Sequence, residues 1–362
     1  MQRHLMNTKQ IKPNISNKKV FLGLSGGVDS AVSALLLKEQ GYDVTGVFIK
    51  VWSPDFLPCT WKDERRDAMR VAAQLGIPFL FFDFEKEYKK EVADYMINEY
   101  ITGRTPNPDV MCNKEIKFGV FWKRAKELGA DYMATGHYAQ NIKNQLFEGV
   151  DAEKDQSYFL WTLTKDDLEH VIFPIGHLYK TEVRELAKNH NVPVASKKDS
   201  QGICFLGEVS LDEFLPNFID IKAGNVLDVN KKVIGTHKGA IYYTLGERHG
   251  FEVITTSSSD KPYYVISKDM NSNTITVSND VEVIKKSVPK KIRLSRLNLT
   301  ANTIDINLYA RIRHRGEKVK VKLDGNTLEF IEQVKGVSVG QSVVLYKNNL
   351  CLGGGSIEEI ID

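Results

Sequence analysis

Lys19-Val-Phe-Leu-Gly-Leu-Ser-Gly-Gly-Val-Asp-Ser30 decides the fold. Its first half, Lys19–Leu24, is an apolar run of strand length. From Val28 to Gln40 the apolar positions Val28, Val32, Leu35 and Leu36 recur at helical spacing. The glycines between these elements let the backbone turn sharply and bring N–H groups close to an anion. The following helix adds the partial positive charge of its N-terminus, and Ser25 and Ser30 add hydroxyl donors. No lysine follows the glycines, so this is not a Walker A loop, and the spacing is not that of a dinucleotide-binding GxGxxG. The stretch reads as a phosphate cradle set between a buried strand and a helix.

The same alternation continues outward. Asp43–Val51, Pro78–Asp83 and Tyr132–Thr135 read as strands, and Lys62–Gly76, Glu85–Ile101 and the stretch from Cys112 toward Gly129 as helices. Strand and helix in turn, with short connections, predict an α/β fold with a doubly wound, mostly parallel sheet. After about Phe218 the pattern changes to short β-like runs separated by Gly, Asn and Asp. These are Gly224–Val229, Ala240–Leu245, Pro262–Ser267 and Thr274–Val277, then Lys291–Leu299, Thr303–Arg313, Lys318–Leu323, Thr327–Gln333, Ser342–Lys347 and Leu350–Ser356. They predict two small all-β modules. The expected divisions are a polar arm over 1–18, a nucleotide domain over 19–218, a central β domain over 219–285 and a basic C-terminal β domain over 286–362.

Composition bounds the rest. The chain has 362 residues, 49 Lys plus Arg against 46 Asp plus Glu, and a net charge of +3. That total neither demands nor forbids a nucleic-acid partner. Four dispersed cysteines exclude a disulfide-framed scaffold, and none are spaced as a CxxC metal site. With no apolar run of about 20 residues and no signal-peptide pattern, the chain reads as a cytoplasmic protein with no membrane role.

Two of the cysteines stand in distinctive settings. Cys112 lies in Gly103-Arg-Thr-Pro-Asn-Pro-Asp-Val-Met-Cys-Asn-Lys-Glu-Ile-Lys-Phe118, where two prolines extend the approach and the cysteine is expected at a helix start, a position that favours a thiolate. Asp109 precedes it by three residues. Cys204 lies in the polar stretch Ser196-Lys-Lys-Asp-Ser-Gln-Gly-Ile-Cys-Phe-Leu-Gly207. Taken singly, either cysteine is more often a small buried hydrophobe than a nucleophile.

The SGGVDS string resembles the pyrophosphate loop of the ATP pyrophosphatase superfamily, which includes NAD, GMP and argininosuccinate synthetases as well as tRNA-modifying enzymes. The loop alone does not choose among them. TPNPDVMCN, TGHYA at Thr135–Ala139, KDQSYFL at Lys154–Leu160, KKDSQGICFLG, LGERHG at Leu245–Gly250 and the terminal CLGGGSIE resemble the tRNA-specific 2-thiouridylase family, in order, from about Lys19 to the C-terminus. The chain departs from that pattern at His314, where the family usually has tyrosine, and at Glu247, where it usually has glutamine.

The resemblance implies an adenine-nucleotide-hydrolase-like fold and a mechanism. ATP, with Mg2+, adenylates the C2 oxygen of a wobble uridine, and sulfur from a persulfide on Cys204 replaces it. Cys112 then releases the sulfur and leaves a Cys112–Cys204 disulfide, with Asp109 as general acid/base. The resemblance further assigns Gly23, Leu24, Ser25, Gly26, Gly27, Val28, Asp29, Ser30, Ile49 and Gly136 to ATP. It gives Asn107, Pro108 and Asp109 to the target base, and His137, Lys154, Asp155, Gln156, Arg313, His314 and Gln341 to tRNA. The implied partners are tRNAs accepting Lys, Glu and Gln and an external persulfide donor. No resident metal site is implied.

Charge along the chain is uneven. Between Lys285 and Lys322, twelve Lys and Arg face only Asp305 and Glu317. Arg311, Arg313 and Arg315, alternating along a strand, would form a basic row on one face suited to phosphates. Two rival readings predict different chemistry. A small-molecule pyrophosphate-loop synthetase would turn over ATP without RNA, and an RNA-binding protein with a vestigial loop would release no pyrophosphate.

Overall fold

Strand β1 (Lys19–Gly23) is buried on both faces, with Val20 and Leu22 fully enclosed and Phe21 nearly so. A continuous apolar run of this kind belongs at the centre of a sheet covered by helices on both sides. In the structure, a computed structural model described for residues 17–57, 60–199, 210–254, 261–300, 307–334 and 336–361, β1 pairs in parallel with β2 (Asp43–Lys50) on one side and β4 (Tyr132–Ala134) on the other. Strand β3 (Phe79–Asp83) extends the sheet beyond β2, and β7 (Val171–Ile172) extends it beyond β4, both in parallel. The order is therefore β3-β2-β1-β4-β7, and it reverses direction at β1. A crevice opens at the carboxyl ends of strands at such a reversal, which is where open α/β sheets bind ligands.

Helix α1 (Val28–Glu39) packs its buried face, including Val28, Ala31, Val32 and Leu35, against this sheet. Helix α2 (Trp61–Leu75) adds Ala68, Val71, Ala72 and Leu75 to the same core. Gly76, left-handed at φ 62, ends α2. Residues 85–101 and 108–127 are helical throughout, but each contains a wider π-helical run, over Lys89–Ala93 and Cys112–Phe121. Apolar periodicity does not distinguish the two windings. Within the second run a Cβ on Gly119 would sit 2.9 Å from the Lys114 carbonyl oxygen, so this turn is closed too tightly for a side chain.

The all-β half contains two sheets. The first runs β10 (Phe251–Val253), β9 (Val233–His237), β8 (Gly224–Leu227), β12 (Thr274–Ser278), β11 (Tyr264–Asp269). The expected strand over Ala240–Leu245 is instead a 3-10 turn at Ala240–Tyr242. Its alternation reflects burial of Ala240 and Ile241, and the Ala240 N–H is satisfied by the Asn273 side chain at 2.9 Å rather than by a neighbouring strand.

The second sheet closes on itself. Strands β13 (Lys291–Leu299), β16 (Thr327–Phe330), β15 (Val319–Asp324), β14 (Leu308–Arg311), β17 (Ser342–Lys347) and β18 (Leu350–Ile361) follow in order, and β18 pairs back with β13. The expected Thr303–Arg313 strand is confined to β14, with 301–306 outside the described residues. A hairpin from the α/β half, β5 (Ala139–Ile142) and β6 (Gln145–Glu148), adds to the barrel through Phe147 opposite Leu350. Lys143 and Asn144, both at positive φ, make its two-residue turn.

Candidate active site

The phosphate loop sits where the sheet reverses. Gly26 is left-handed at φ 76, and a Cβ there would fall 2.3 Å from the Glu64 carbonyl oxygen of α2. Gly136, just past β4, lies so close to α1 that its Cβ would meet the Ser30 nitrogen at 2.8 Å. Both positions exclude a side chain, and each lets backbone reach the mouth of the crevice. The Ser30 hydroxyl donates to the Gly27 carbonyl at 3.1 Å and accepts from the Ser25 N–H at 3.2 Å. Gly27, at the N-cap of α1, makes no side-chain capping hydrogen bond. The result is an amide-lined concavity of the kind that holds phosphate oxygens.

Beside it stands a cluster of charges. Lys180 Nζ reaches both Asp29 carboxylate oxygens, at 2.8 and 2.9 Å, and Asp199 at 2.8 Å. Tyr138 donates its hydroxyl to Asp29 at 2.8 Å. Asp199 also receives Lys154 at 2.8 Å and Arg184 at 2.6 Å. Burial opposes the charge on Asp199, but Lys154 and Lys180 outweigh it and hold the carboxyl far below the usual carboxylate range. Burial, with Asp29 nearby, pushes the Tyr138 phenol up, so it stays protonated as a donor. Lys197 reaches the Gly26 carbonyl at 3.1 Å and Asp67 at 2.8 Å. Sequence reasoning missed Lys180, Tyr138 and Asp199. One signal was available for Lys180, because a cation at the first position of a helix (Lys180–Asn189) opposes the helix dipole unless something acidic faces it.

The thiol motif lies in the chain's helical part. The Asn107 side chain caps the helix that starts at Pro108, accepting from the Val110 N–H at 3.2 Å. Cys112 is therefore one turn inside the helix rather than at its start, which corrects the expected position. It is 2% exposed, packed with Tyr88, Met96, Tyr100, Ile116, Phe214 and Leu215. Asp109 is half-buried in the first helical turn. Cys204 and Cys59 lie outside the described residues, while Lys197 and Asp199 at the near end of the Cys204 segment touch the phosphate-loop cluster. Cys351 is fully buried, and burial pushes its thiol up to about 12, which makes it a packing residue. Ile49, at the end of β2, is half-buried between two apolar clusters.

The residues expected to contact RNA fall into two groups. Asp155 is buried and accepts from the Gly149 and Ser157 N–H groups, from the Ser157 hydroxyl and from Arg311. Gln156 accepts from the Tyr138 N–H at 3.0 Å. The His314 ring contacts the Asp155 carbonyl at 2.8 Å and packs 4.5 Å from Phe159. His137 is buried against Phe118 and Phe173 with Thr135 at 2.7 Å, and burial together with Lys117 lowers its pKa well below the ordinary range. These four are occupied inside the protein. Lys154 is half-exposed, Arg313 is exposed, and half-exposed Gln341 accepts from the Ser338 N–H at 2.9 Å in the β-turn before β17.

The basic row does not form. Strand β14 ends at Arg311, Ile312 turns inward, and Arg315 is left-handed at φ 59, so the three arginines share no strand face. Arg311 is drawn inward by Glu148 at 2.9 Å and Asp155 at 3.0 Å and lies over Tyr346. Lys318 joins the same Glu148, Lys291 pairs with Glu329, and Arg293 with Glu359. The opposing acids come from distant parts of the chain, which a local count of charge cannot register.

Comparison with known proteins gives three adjoining matches. Residues 18–208 match a family described as the tRNA methyl transferase HUP domain, 212–279 the tRNA methyl transferase PRC-barrel domain, and 289–357 the aminomethyltransferase beta-barrel domain. Over 361 residues the chain is 44% identical to the tRNA-specific 2-thiouridylase MnmA of Listeria monocytogenes serotype 4b (strain CLIP80459), covering 96% of each. It is 43% identical over 357 residues to that of Bacillus subtilis (strain 168), covering 94% of this chain and 95% of the relative. A solved 4-thiouridine synthetase–RNA complex with bound ATP overlaps 53% of this chain and 46% of its own, at 26% identity and a TM-score of 0.35, too partial a likeness to argue from.

Proposed function

The chain belongs to the tRNA-specific 2-thiouridylase family, and from that premise we propose how its residues divide the work of a tRNA-uridine 2-sulfurtransferase. The full-length similarity to 2-thiouridylases carries the reading. It favours sulfur transfer over the methyl transfer in the domain descriptions, as do two cysteines set in the family's motifs.

ATP lies with its phosphates on the Gly23–Ser30 amides, and Gly136 and Ile49 flank the nucleotide. Mg2+ would accompany the nucleotide and offset the charge of its phosphates. Among the described residues no group of three His, Cys, Asp or Glu side chains could hold a metal ion, and Asp29 is the carboxylate the loop itself offers. The C2 oxygen of the wobble uridine attacks the α-phosphorus and expels pyrophosphate, so that AMP becomes the later leaving group. Asn107 and Pro108 hold the base, and Asp109 moves the proton. The terminal sulfur of a Cys204 persulfide attacks C2 and AMP departs, which leaves a C2–S–S–Cys204 linkage. The Cys112 thiolate attacks the Cys204 sulfur, the S–S bond to the base breaks, and 2-thiouridine leaves with a Cys112–Cys204 disulfide behind it. A thiol reductant resets the pair, and an external desulfurase or relay protein reloads Cys204. The substrates are the Lys, Glu and Gln acceptors, met through Lys154, Arg313 and Gln341.

The two thiols separate experimentally. Cys204→Ser is expected to release pyrophosphate on tRNA yet make no 2-thiouridine. Cys112→Ser is expected to load sulfur on Cys204 and fail to deliver it. Peptide mapping after a single wild-type turnover should recover a linked NPDVMCN–SQGICFL pair. Normal thiolation by both serine variants would sink the mechanism, and the absence of RNA-dependent pyrophosphate would sink the function.

A further inference from the structure

We propose that a second nucleotide subsite adjoins the target-base motif, in the cavity between the helical part of the nucleotide domain and the bulged strand β13. The inference rests on the tRNA reading above. The cavity is about 260 Å³, lined among others by Tyr95, Asn107, Lys114, Trp161, Arg296 and Asn298. It takes an unpaired nucleotide directly next to the target uridine in the RNA chain.

The backbone of β13 is bulged. Along β13 and β18, Ser295 faces Ser356 and Asn298 faces Gly354, so β13 carries one residue more than its partner. Within this bulge Arg296 is left-handed at φ 53, a conformation that arginine adopts only under constraint. Bulges re-aim side chains, and this one carries Arg296 out of the barrel's alternation and across to the other domain. Its guanidinium carbon stands 5.3 Å from the centre of the Tyr95 ring. Among the described residues no carboxylate lies within ion-pair distance of Arg296, whereas Arg293 of the same strand is paired with Glu359. A planar cation is thus held by an aromatic ring at the mouth of a cavity, with its charge unneutralised.

The remaining walls suit a base and its phosphate. The Asn107 side chain accepts from the Val110 N–H at 3.2 Å, which fixes the wall it shares with the target-base motif. The Asn298 amide is fixed to the Trp161 and Leu163 carbonyls at 2.9 and 3.0 Å. Lys114 is exposed, and among the described residues its ion pair is with its neighbour Glu115. Single-stranded RNA is read in this manner, with splayed bases laid on aromatic rings or guanidinium planes while cations take the backbone. Asn107 lines this cavity and immediately precedes Pro108 and Asp109, so a uridine held by that motif brings its chain neighbour here.

The test compares three stem-loop RNAs carrying the target uridine in the loop: intact, abasic at the 5′ neighbour, and abasic at the 3′ neighbour. Affinities for the full-length protein are read by fluorescence anisotropy. Wild type should bind one abasic RNA roughly tenfold more weakly than the intact RNA, within the range of a single base stack. Arg296→Gln should weaken the intact RNA by a similar factor and leave that abasic RNA unchanged. Equal wild-type affinity for all three RNAs overturns the subsite. So does an equal loss on all three RNAs in Arg296→Gln, which would make Arg296 a general phosphate contact. Pyrophosphate release by wild type on the intact RNA is measured in parallel, and its absence would remove the thiouridylase reading without touching the base discrimination.

Discussion

Replacing Arg311 with methionine should cost stability rather than RNA affinity. The guanidinium bridges Glu148 and Asp155, which are 12% and 4% exposed in their side chains, and stacks on the fully buried Tyr346. Removing one partner of a buried ion pair costs about 3–5 kcal/mol because the remaining charge is stranded. Here the lower end applies, since Glu148 keeps Lys318 and Asp155 keeps two backbone N–H groups and the Ser157 hydroxyl. At a urea slope of about 2–3 kcal/mol per molar, a loss of about 3 kcal/mol moves the midpoint down by roughly 1 M. Urea titrations of Arg311→Met, Asp155→Asn and the double variant would measure it, and the double variant should lose less than the sum of the singles. The salt slope of tRNA binding should stay at its wild-type value. An unchanged urea midpoint together with a shallower salt slope would show that Arg311 faces phosphate after all, and the inward reading would fail.

The charge cluster at the phosphate loop gives a second expectation. Lys180→Met should weaken ATP binding by roughly 10- to 100-fold, the range for one charge-assisted hydrogen bond, and Asp29→Ala should stop pyrophosphate release while tRNA still binds. Calorimetric ATP affinity equal to wild type in Lys180→Met would exclude Lys180 from the nucleotide site. The central sheet gives a third. Burial depresses Lys268 to about 8 despite the nearby Glu247, so between pH 8 and 10.5 the unfolded chain binds the extra proton and stability rises with pH; below pH 8 both states are protonated and the full cost applies. Wild type should gain on Lys268→Met across that window by at most about 3 kcal/mol, and parallel stability curves would refute the assignment.

The strand–loop–helix opening was legible because every level of the local sequence agrees. Continuous apolar Val20, Phe21 and Leu22 can only be a central strand, and adjacent glycines before an amphipathic run can only be a turn into a helix. Conflict or distance hid the rest. Ala240–Leu245 alternates like a strand because a 3-10 turn also buries one side, and Asn273, far along the chain, removes its need for a partner strand. Arg311 read as surface because its acids, Glu148 and Asp155, lie more than 150 residues away in sequence. Of the site, the loop carried its own signal, whereas Lys180, Tyr138 and Asp199 become neighbours only through the sheet order.

The hairpin at 139–148 has a temporal consequence. Its barrel partner Leu350 emerges 203 residues after Phe147, the difference between 350 and 147. At typical synthesis rates that interval is about 10–40 s. Through it the hairpin, Asp155 and the Tyr158 hydroxyl, which bonds the carbonyls of Ile312 and Ser342, wait without their mates. A nascent chain already carrying the nucleotide loop therefore holds an unfinished joint beside it. The joint between the α/β half and the barrel is completed only once β18 has been made.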